Sequence, residues 1–569
     1  MTLTGAVGKS VIFRETVPRV SDMRRRSEAQ GLGKSVIFRF ASANWRMAEK
    51  FPDTLLLRTP FFKERCSKPM ESEHREFLEQ VLWQAKELGA GYADCRLYPE
   101  SESEEIKVEN GQVVAVNSSK SAGFGVRVLV KGSWGFFASP ILSKDNIKEV
   151  AERAVHSANA NASLQKEKVV LAPVTAQPKG EVMVYKTKVK TDPFEVPLER
   201  RVTLLTSADE AMRQASDKVF WRISEMTMMK TRKLFASSEG VLADQTFIES
   251  GSYIQAHALE KKGGDTQRRS YPESHPYLMQ RGYEEIEKMD LVRNAGRMAE
   301  EAERLLAAPY APTGKRGIIL LPSMLNLHGH ETIHGFEADR ILQTEWTLAG
   351  GSFLTSILSE IGSFQFGSEK INLVADSVTE GGVGTFGWDD EGTPAQKIYL
   401  VKEGIFKGLL TSRQTVLQLN EKIGREYFKQ PNGSVRAQDY GHWPVIRMIN
   451  IILEPGNTDF KELKESVPEG TMMFGTNKSW SIDDVRRHFT FGTEIAWEKV
   501  GGKWEVRKNA KYYGDNLNFW RNCQAVCNEK SFWMQGIGTC GKADPLQTMH
   551  TGHGSSPAYF TNIQVGSVG

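Results

Sequence analysis

The chain reads as a mixed, multi-domain α+β protein. We expect an N-terminal α+β unit, a middle β-rich scaffold domain, and a C-terminal β-rich domain carrying a metal-site helix. Three observations predict this. A length of 569 residues calls for more than one domain and suits three. Helical periodicity followed by hairpin signals marks the first part, and alternating strand-like stretches mark the second. In the last third a histidine motif is followed by glycine-dense strand patterns.

Residues 1–69 differ from the rest. Arg24, Arg25 and Arg26 form a basic run, and the heptapeptide Gly8 to Arg14 recurs as Gly33 to Arg39. The repeat is too short for a solenoid unit. Glu15, Asp22 and Glu28 interrupt any transit-peptide character. Glu28 also occupies the position where a phosphate loop ending in Gly33-Lys34-Ser35 needs glycine. The expectation is a poorly ordered N-terminal extension.

The first domain is expected over 70–160. Phe77, Leu78, Val81, Leu82, Ala85 and Leu88 form one apolar helix face, and Gly89 is a natural stop. Strands follow at Tyr92 to Tyr98, Glu105 to Val108 and Gln112 to Asn117, turning at Asn110-Gly111. A second hairpin, Gly123 to Val130 and Ser133 to Ala138, turns at Lys131-Gly132. A helix over Asp145 to Ala158 closes the unit.

After a polar, lysine-rich connector, a middle domain is expected over 184–308. A helix at Leu198 to Ser216 precedes strands at Val219 to Met228, Lys230 to Ser237, Gly240 to Glu249 and Ser252 to Leu259. Leu291, Ala295, Met298, Ala302 and Leu305 share one side of a helix closed by Pro309 and Pro312. Nothing here suggests chemistry. The strands suggest a scaffold, or an edge that pairs with a partner.

The third domain is expected over 312–569. Ile318 to Leu321 is a short buried strand, broken by Pro322. Further strands are expected near Ile371 to Ala375, Lys397 to Val401, Gly408 to Thr411, Val445 to Leu453 and Thr471 to Phe474. Gly382 to Gly387 fits G-x-G-x-x-G, but the acidic, proline-containing sequence that follows does not open a helix. A loop of tight turns is expected there, not a dinucleotide site.

His330-Glu331-Thr332-Ile333-His334 reads H-E-x-x-H. On a helix, residues four apart share a face, so both imidazoles can grip one metal ion. Glu331, beside the first, can take a proton from an attacking water. The chain has 11 histidines, and His328, His330 and His334 sit together. Cys523 and Cys527 read as small apolar side chains on a helix. Cys540, between Gly538 and Gly541, favours a ligand or reactive thiol over a core residue.

Several stretches together resemble the TldD/PmbA (TldD/TldE) metallopeptidases, from about residue 75 to the C-terminus. They are Gly123-Phe124-Gly125-Val126-Arg127-Val128, Trp134-Gly135-Phe136, the histidine motif through Glu337-Ala338-Asp339-Arg340, Asp389 to Gln396, Thr476 to Asp483, Phe519-Trp520, Cys540-Gly541-Lys542 and Thr551-Gly552-His553-Gly554. The resemblance implies a zinc-dependent peptidase of the catalytic, TldD-like kind. It places Zn²⁺ on His330, His334 and Cys540, with Glu331 as base. It also implies unfolded or short peptides as substrate, and a homo- or hetero-dimer with a PmbA/TldE-like subunit. The family motif is written H-E-x-x-x-H, and this chain is one residue shorter. His328 is therefore an alternative first ligand, while Glu337 and Asp339 are alternative ligands or groups that orient a histidine. The alternative function is a non-catalytic, peptide-binding subunit of such a complex.

Composition narrows the classes. Net charge is +3, from 73 basic and 70 acidic side chains, so no nucleic-acid partner is expected, and with it no regulation of gyrase, an older name for some family members. No apolar run is long enough for a bilayer, so no membrane partner is expected. Five cysteines do not make a disulfide framework, which fits a cytoplasmic protein. No G-x-S-x-G elbow suggests a serine hydrolase.

Overall fold

In this computed structural model, residues 70–569 are described, apart from 166, 175–180, 262–263, 345–349 and 568–569. The expected N-terminal extension, 1–69, lies outside the described residues. The fold is mixed α+β, as expected.

The first sheet has seven strands. Its order is Ser133–Ser139, Gln112–Val130, Tyr92–Glu109, Val219–Ser237, Leu242–Leu259 and Met183–Lys186, with Thr266–Tyr271 also paired to Leu242–Leu259. Tyr92–Glu109 pairs antiparallel with Val219–Ser237 along nearly its whole length, from Asp94 opposite Ser237 to Glu109 opposite Ile223. The sheet is thus continuous from the N-terminal to the middle part of the chain. Stretches expected as separate strands, such as Val219 to Met228 and Lys230 to Ser237, are single long strands. Both turn expectations hold: Asn110, Gly111, Lys131 and Gly132 all adopt the left-handed backbone that two-residue hairpins need.

Helices Ser72–Glu87 and Lys144–Ala162 bury an aliphatic face against this sheet. The second starts at Ser143, whose side chain accepts from the Asn146 N–H. Gly135 is required where that helix crosses the sheet: a Cβ there would lie 2.0 Å from the Ala154 carbonyl oxygen. Helices Leu198–Ala215 and Leu291–Ala307 pack together over a methionine- and alanine-rich core.

Two further sheets build the C-terminal part. A nine-stranded sheet contains Gly314–Leu320, flanked by Met472–Phe474 and Ala558–Ser567. A seven-stranded sheet ends Asn450–Leu453, Gln547–Ser555, Trp533–Lys542 and Tyr277–Leu278. The last of these comes from the middle segment. Their shared core is the largest among the described residues.

Several expectations are corrected here. Gly408 to Thr411 forms only an isolated bridge at Leu410. Val445 to Leu453 divides into Val445–Ile446 and Asn450–Leu453. Cys523 lies on a strand, not a helix, with Cys527 just beyond it, and both thiols are buried. The strands from Asn477 onward lie outside the sequence expectations, although Lys503–Arg507 alternates polar and apolar residues in the strand pattern. The Gly382 to Gly387 loop makes turns, as expected. Its Gly384 N–H donates to Asn450 Oδ1 at 2.8 Å.

Candidate metal centre

Pro322 opens the site helix, Pro322–Ile333, at the position where its missing N–H costs nothing. Every residue from Ser323 to Ile333 is buried, so this helix is a core element without a solvent face. His334 caps it with helical backbone angles (φ −54°, ψ −31°), then begins a tighter turn. The four-residue spacing therefore works: the His330 and His334 rings lie 4.9 Å apart, near perpendicular.

Cys540 reaches them from strand Trp533–Lys542. The pairing of that strand with Gln547–Ser555 shifts register between Ile537 and Cys540. Cys540 Sγ lies 3.6 Å from His334 Nε2. One donor atom each from His330, His334 and Cys540 falls within 4.8 Å of the others, all buried. A tetrahedral zinc with bonds of ~2.3 Å to sulfur and ~2.0–2.1 Å to nitrogen spans about 3.6 Å between those two atoms. The donor types and the measured sulfur–nitrogen distance fit that ion.

The neighbours orient the rings. His330 Nδ1 lies 2.8 Å from His553 Nε2, leaving Nε2 of His330 for a ligand. His334 Nδ1 faces Glu337 Oε1 at 3.4 Å, so its Nε2 faces the thiol. Glu337 is in turn held by Arg340 Nε at 2.5 Å and Lys542 Nζ at 3.1 Å. Lys542 also contacts Asp339 at 2.7 Å. One buried ammonium thus ties the histidine segment to the cysteine strand. Glu337 and Asp339 occupy this supporting position, not a ligand position.

The electrostatics favour metal binding. Burial pushes the His330 imidazole down to about 4, and burial lowers His334 too, so both present neutral nitrogens. Burial alone would raise the Cys540 thiol. Arg447, which donates to the Cys540 carbonyl, and His334 outweigh it and bring the thiol below its ordinary value. Burial likewise opposes ionisation of Glu337, but Lys542, Arg340 and His334 hold it well below the usual carboxylate range.

His328 is excluded as a ligand in this arrangement. Its ring stacks on Phe519 at 3.8 Å, and its nitrogens contact Tyr512 Oη at 3.1 Å and Asn516 Oδ1 at 2.8 Å. Burial pushes it down to about 3. Glu331 is buried beside the trio and accepts from Arg486 Nη1 at 2.9 Å. Arg486 holds a left-handed backbone (φ 66°), and its carbonyl accepts from Asn516 Nδ2 at 2.6 Å.

Sequence reasoning missed the roles of His553, Arg486 and His275. His553 lies 223 residues from its partner, within a segment that carried only family likeness. His275 is half-buried with its Nε2 enclosed, and burial, then His330, lowers its pKa to about 4. No local spacing points to either it or Arg486.

The fold and the trio first define a class: a mixed α+β protein with a buried imidazole–imidazole–thiol set suited to a structural or catalytic metal. Models of the PmbA/TldA metallopeptidase family match the chain in order. Domain 1 matches residues 97–158, the central domain 191–306, and the C-terminal domain 313–567. The chain belongs to the PmbA/TldD metallopeptidase family. It is 29% identical over 479 residues, 84% of this chain and 95% of the relative, to a protein named metalloprotease from Methanothermobacter thermautotrophicus. It is 23% identical over 395 residues, 69% of this chain and 79% of the relative, to a zinc metalloprotease TldD homolog from Saccharolobus solfataricus. The crystal structure of TldE from Thermococcus kodakarensis superposes with a TM-score of 0.60 at 14% identity, covering 86% of this chain and 100% of that one. That likeness shows a shared fold. No helix among the described residues is long and apolar enough to cross a membrane.

Proposed function

We propose that this chain is a zinc-dependent peptidase that hydrolyses unfolded or short peptides, with His330, His334 and Cys540 holding the metal. The observation that carries this reading is the buried trio, whose donor atoms lie within 4.8 Å of one another. The zinc metalloprotease name of the Saccharolobus solfataricus relative supports the choice of ion.

Bound zinc supplies Lewis-acid polarisation of the scissile carbonyl and lowers the pKa of water to ~7. The remaining work falls to side chains. Glu331 takes the proton of the attacking water and passes it to the departing amine. Arg486 holds the Glu331 carboxylate in place. His553 and Glu337 fix the two imidazole rings. An extended peptide pairs with a strand edge, which recognises backbone and tolerates many sequences.

The three-part organisation read from sequence, with parts at 70–160, 184–308 and 312–569, belongs to this reading. So do a cytoplasmic location and a dimer, with a second copy or a PmbA/TldE-like subunit. The fold likeness to TldE supports such a pairing.

The test is metal analysis with peptide cleavage. Purified protein should hold close to one zinc, and Glu331→Gln should keep it while losing cleavage. A chain without stoichiometric zinc that binds peptide but cleaves none would instead be the non-catalytic subunit.

A further inference from the structure

Beside the metal centre lies a cavity of about 250 Å³. Its lining includes Lys233, Glu249, Arg436, Met549 and His550. Met549 stands directly across the strand ladder from Cys540. Opposed residues in an antiparallel pair have Cβ atoms about 4.5–5.5 Å apart. The cavity therefore begins one side chain from the thiol.

Most charges around it are already matched. Glu249 pairs with His550 at 2.5 Å, and burial resists this pairing less than Glu249 favours it, so the imidazole stays raised. Lys233 pairs with Asp390 at 2.6 Å, and the other Asp390 oxygen accepts from the Ala437 N–H at 2.8 Å. Arg436 is different. It is 6% exposed, and no carboxylate forms an ion pair with it among the described residues. Its Nη2 donates to the Met448 and His550 carbonyls, the latter at 2.9 Å. Its Nε has no hydrogen-bond partner. Arg447 is a second cation nearby, and burial with that neighbour brings Arg436 down to about 10. A buried guanidinium without a counter-ion is costly, and a charged partner entering the cavity would offset that cost. A guanidinium fork matches a carboxylate in shape and charge.

We propose that this cavity is a subsite for a carboxylate of the peptide substrate, received by Arg436. The free C-terminus of a short peptide is the source that suits a space of this size, one residue from the trio. Such a subsite directs cleavage toward chain ends. This inference rests on the reading of the chain as a peptide-handling protein.

The probes are acetylated tetra-alanine with a free C-terminus, the same peptide as its amide, and a pair of amides with internal Glu or Gln. Binding is measured by calorimetry on full-length protein carrying Glu331→Gln, and cleavage on the unsubstituted chain. The free acid should bind roughly tenfold or more tighter than the amide, the effect of a hydrogen bond to a charged group. Arg436→Gln should erase the difference, with its melting temperature recorded as a check on folding. A preference for internal Glu over Gln would place a side-chain carboxylate there instead. Equal binding of each acid and its neutral counterpart, which needs no Arg436 variant, overturns the subsite. Discrimination without cleavage would leave the subsite standing and remove the hydrolase reading. Cleavage without discrimination would do the reverse.

Discussion

Replacing His553 is the most informative perturbation of the centre. His553 is fully buried, and its Nε2 lies 2.8 Å from His330 Nδ1. Burial keeps both rings neutral at pH 7. If His330 binds metal through Nε2, its proton sits on Nδ1, and His553 Nε2 must accept it. His553→Leu keeps the volume and removes the acceptor. The hydrogen bond that fixes the tautomer and angle of the first ligand is then lost. Such partners are worth 10- to 100-fold in metal affinity, or about 1.4–2.8 kcal/mol. His553→Gln offers an amide oxygen at nearly the same place and should recover most of the affinity. The assay is zinc competition against a chromophoric chelator at pH 7.5, with melting of the metal-free proteins as a control. Zinc affinity of His553→Leu within twofold of the unsubstituted chain, with unchanged melting, would refute the coupling of His553 to the centre.

Glu331→Gln should lower peptide cleavage by ~10²–10⁴-fold while leaving zinc content unchanged, as measured by turnover and elemental analysis. Arg486→Met leaves the Glu331 charge buried without its partner, so thermal or urea unfolding should show a loss of roughly 3–5 kcal/mol. Removing metal with a chelator should lower the melting temperature, and zinc should restore it, since binding to the folded chain adds to its stability. Glu273, outside the trio, gives a pH signature of its own. It is buried, accepts from Ser323 Oγ at 2.6 Å, and burial raises its carboxyl to about 8. The unfolded carboxyl titrates near ~4.3, so its contribution to stability is full below that pH and is lost as pH rises through 8. Glu273→Gln should flatten the fall in melting temperature between pH 5 and 8.5, and an unchanged profile would remove Glu273 as its source.

Local signals carried much of the fold. Helices Ser72–Glu87 and Leu291–Ala307 lie where a 3.6-residue apolar period placed them, and the Asn110-Gly111 and Lys131-Gly132 hairpins lie where turn chemistry placed them. Those features depend on contacts between near neighbours in the chain. The motif spacing likewise fixed that His330 and His334 share a face, because helix geometry alone decides it.

Tertiary structure decided everything that joins distant segments. Cys540 meets His334 across 206 positions, and its place depends on a register shift in one strand pair. The sequence could not separate His328 from His330 as a ligand. An aromatic cage encloses the first and a histidine partner stands beside the second, and both are assembled from residues after 480. Arg486 carries no signal in its own neighbourhood, and Lys542 carries only the family likeness of Cys540-Gly541-Lys542. Each is paired with a buried carboxylate from a distant stretch of the chain, where a lone charge would be costly and only the packed chain brings its counter-charge.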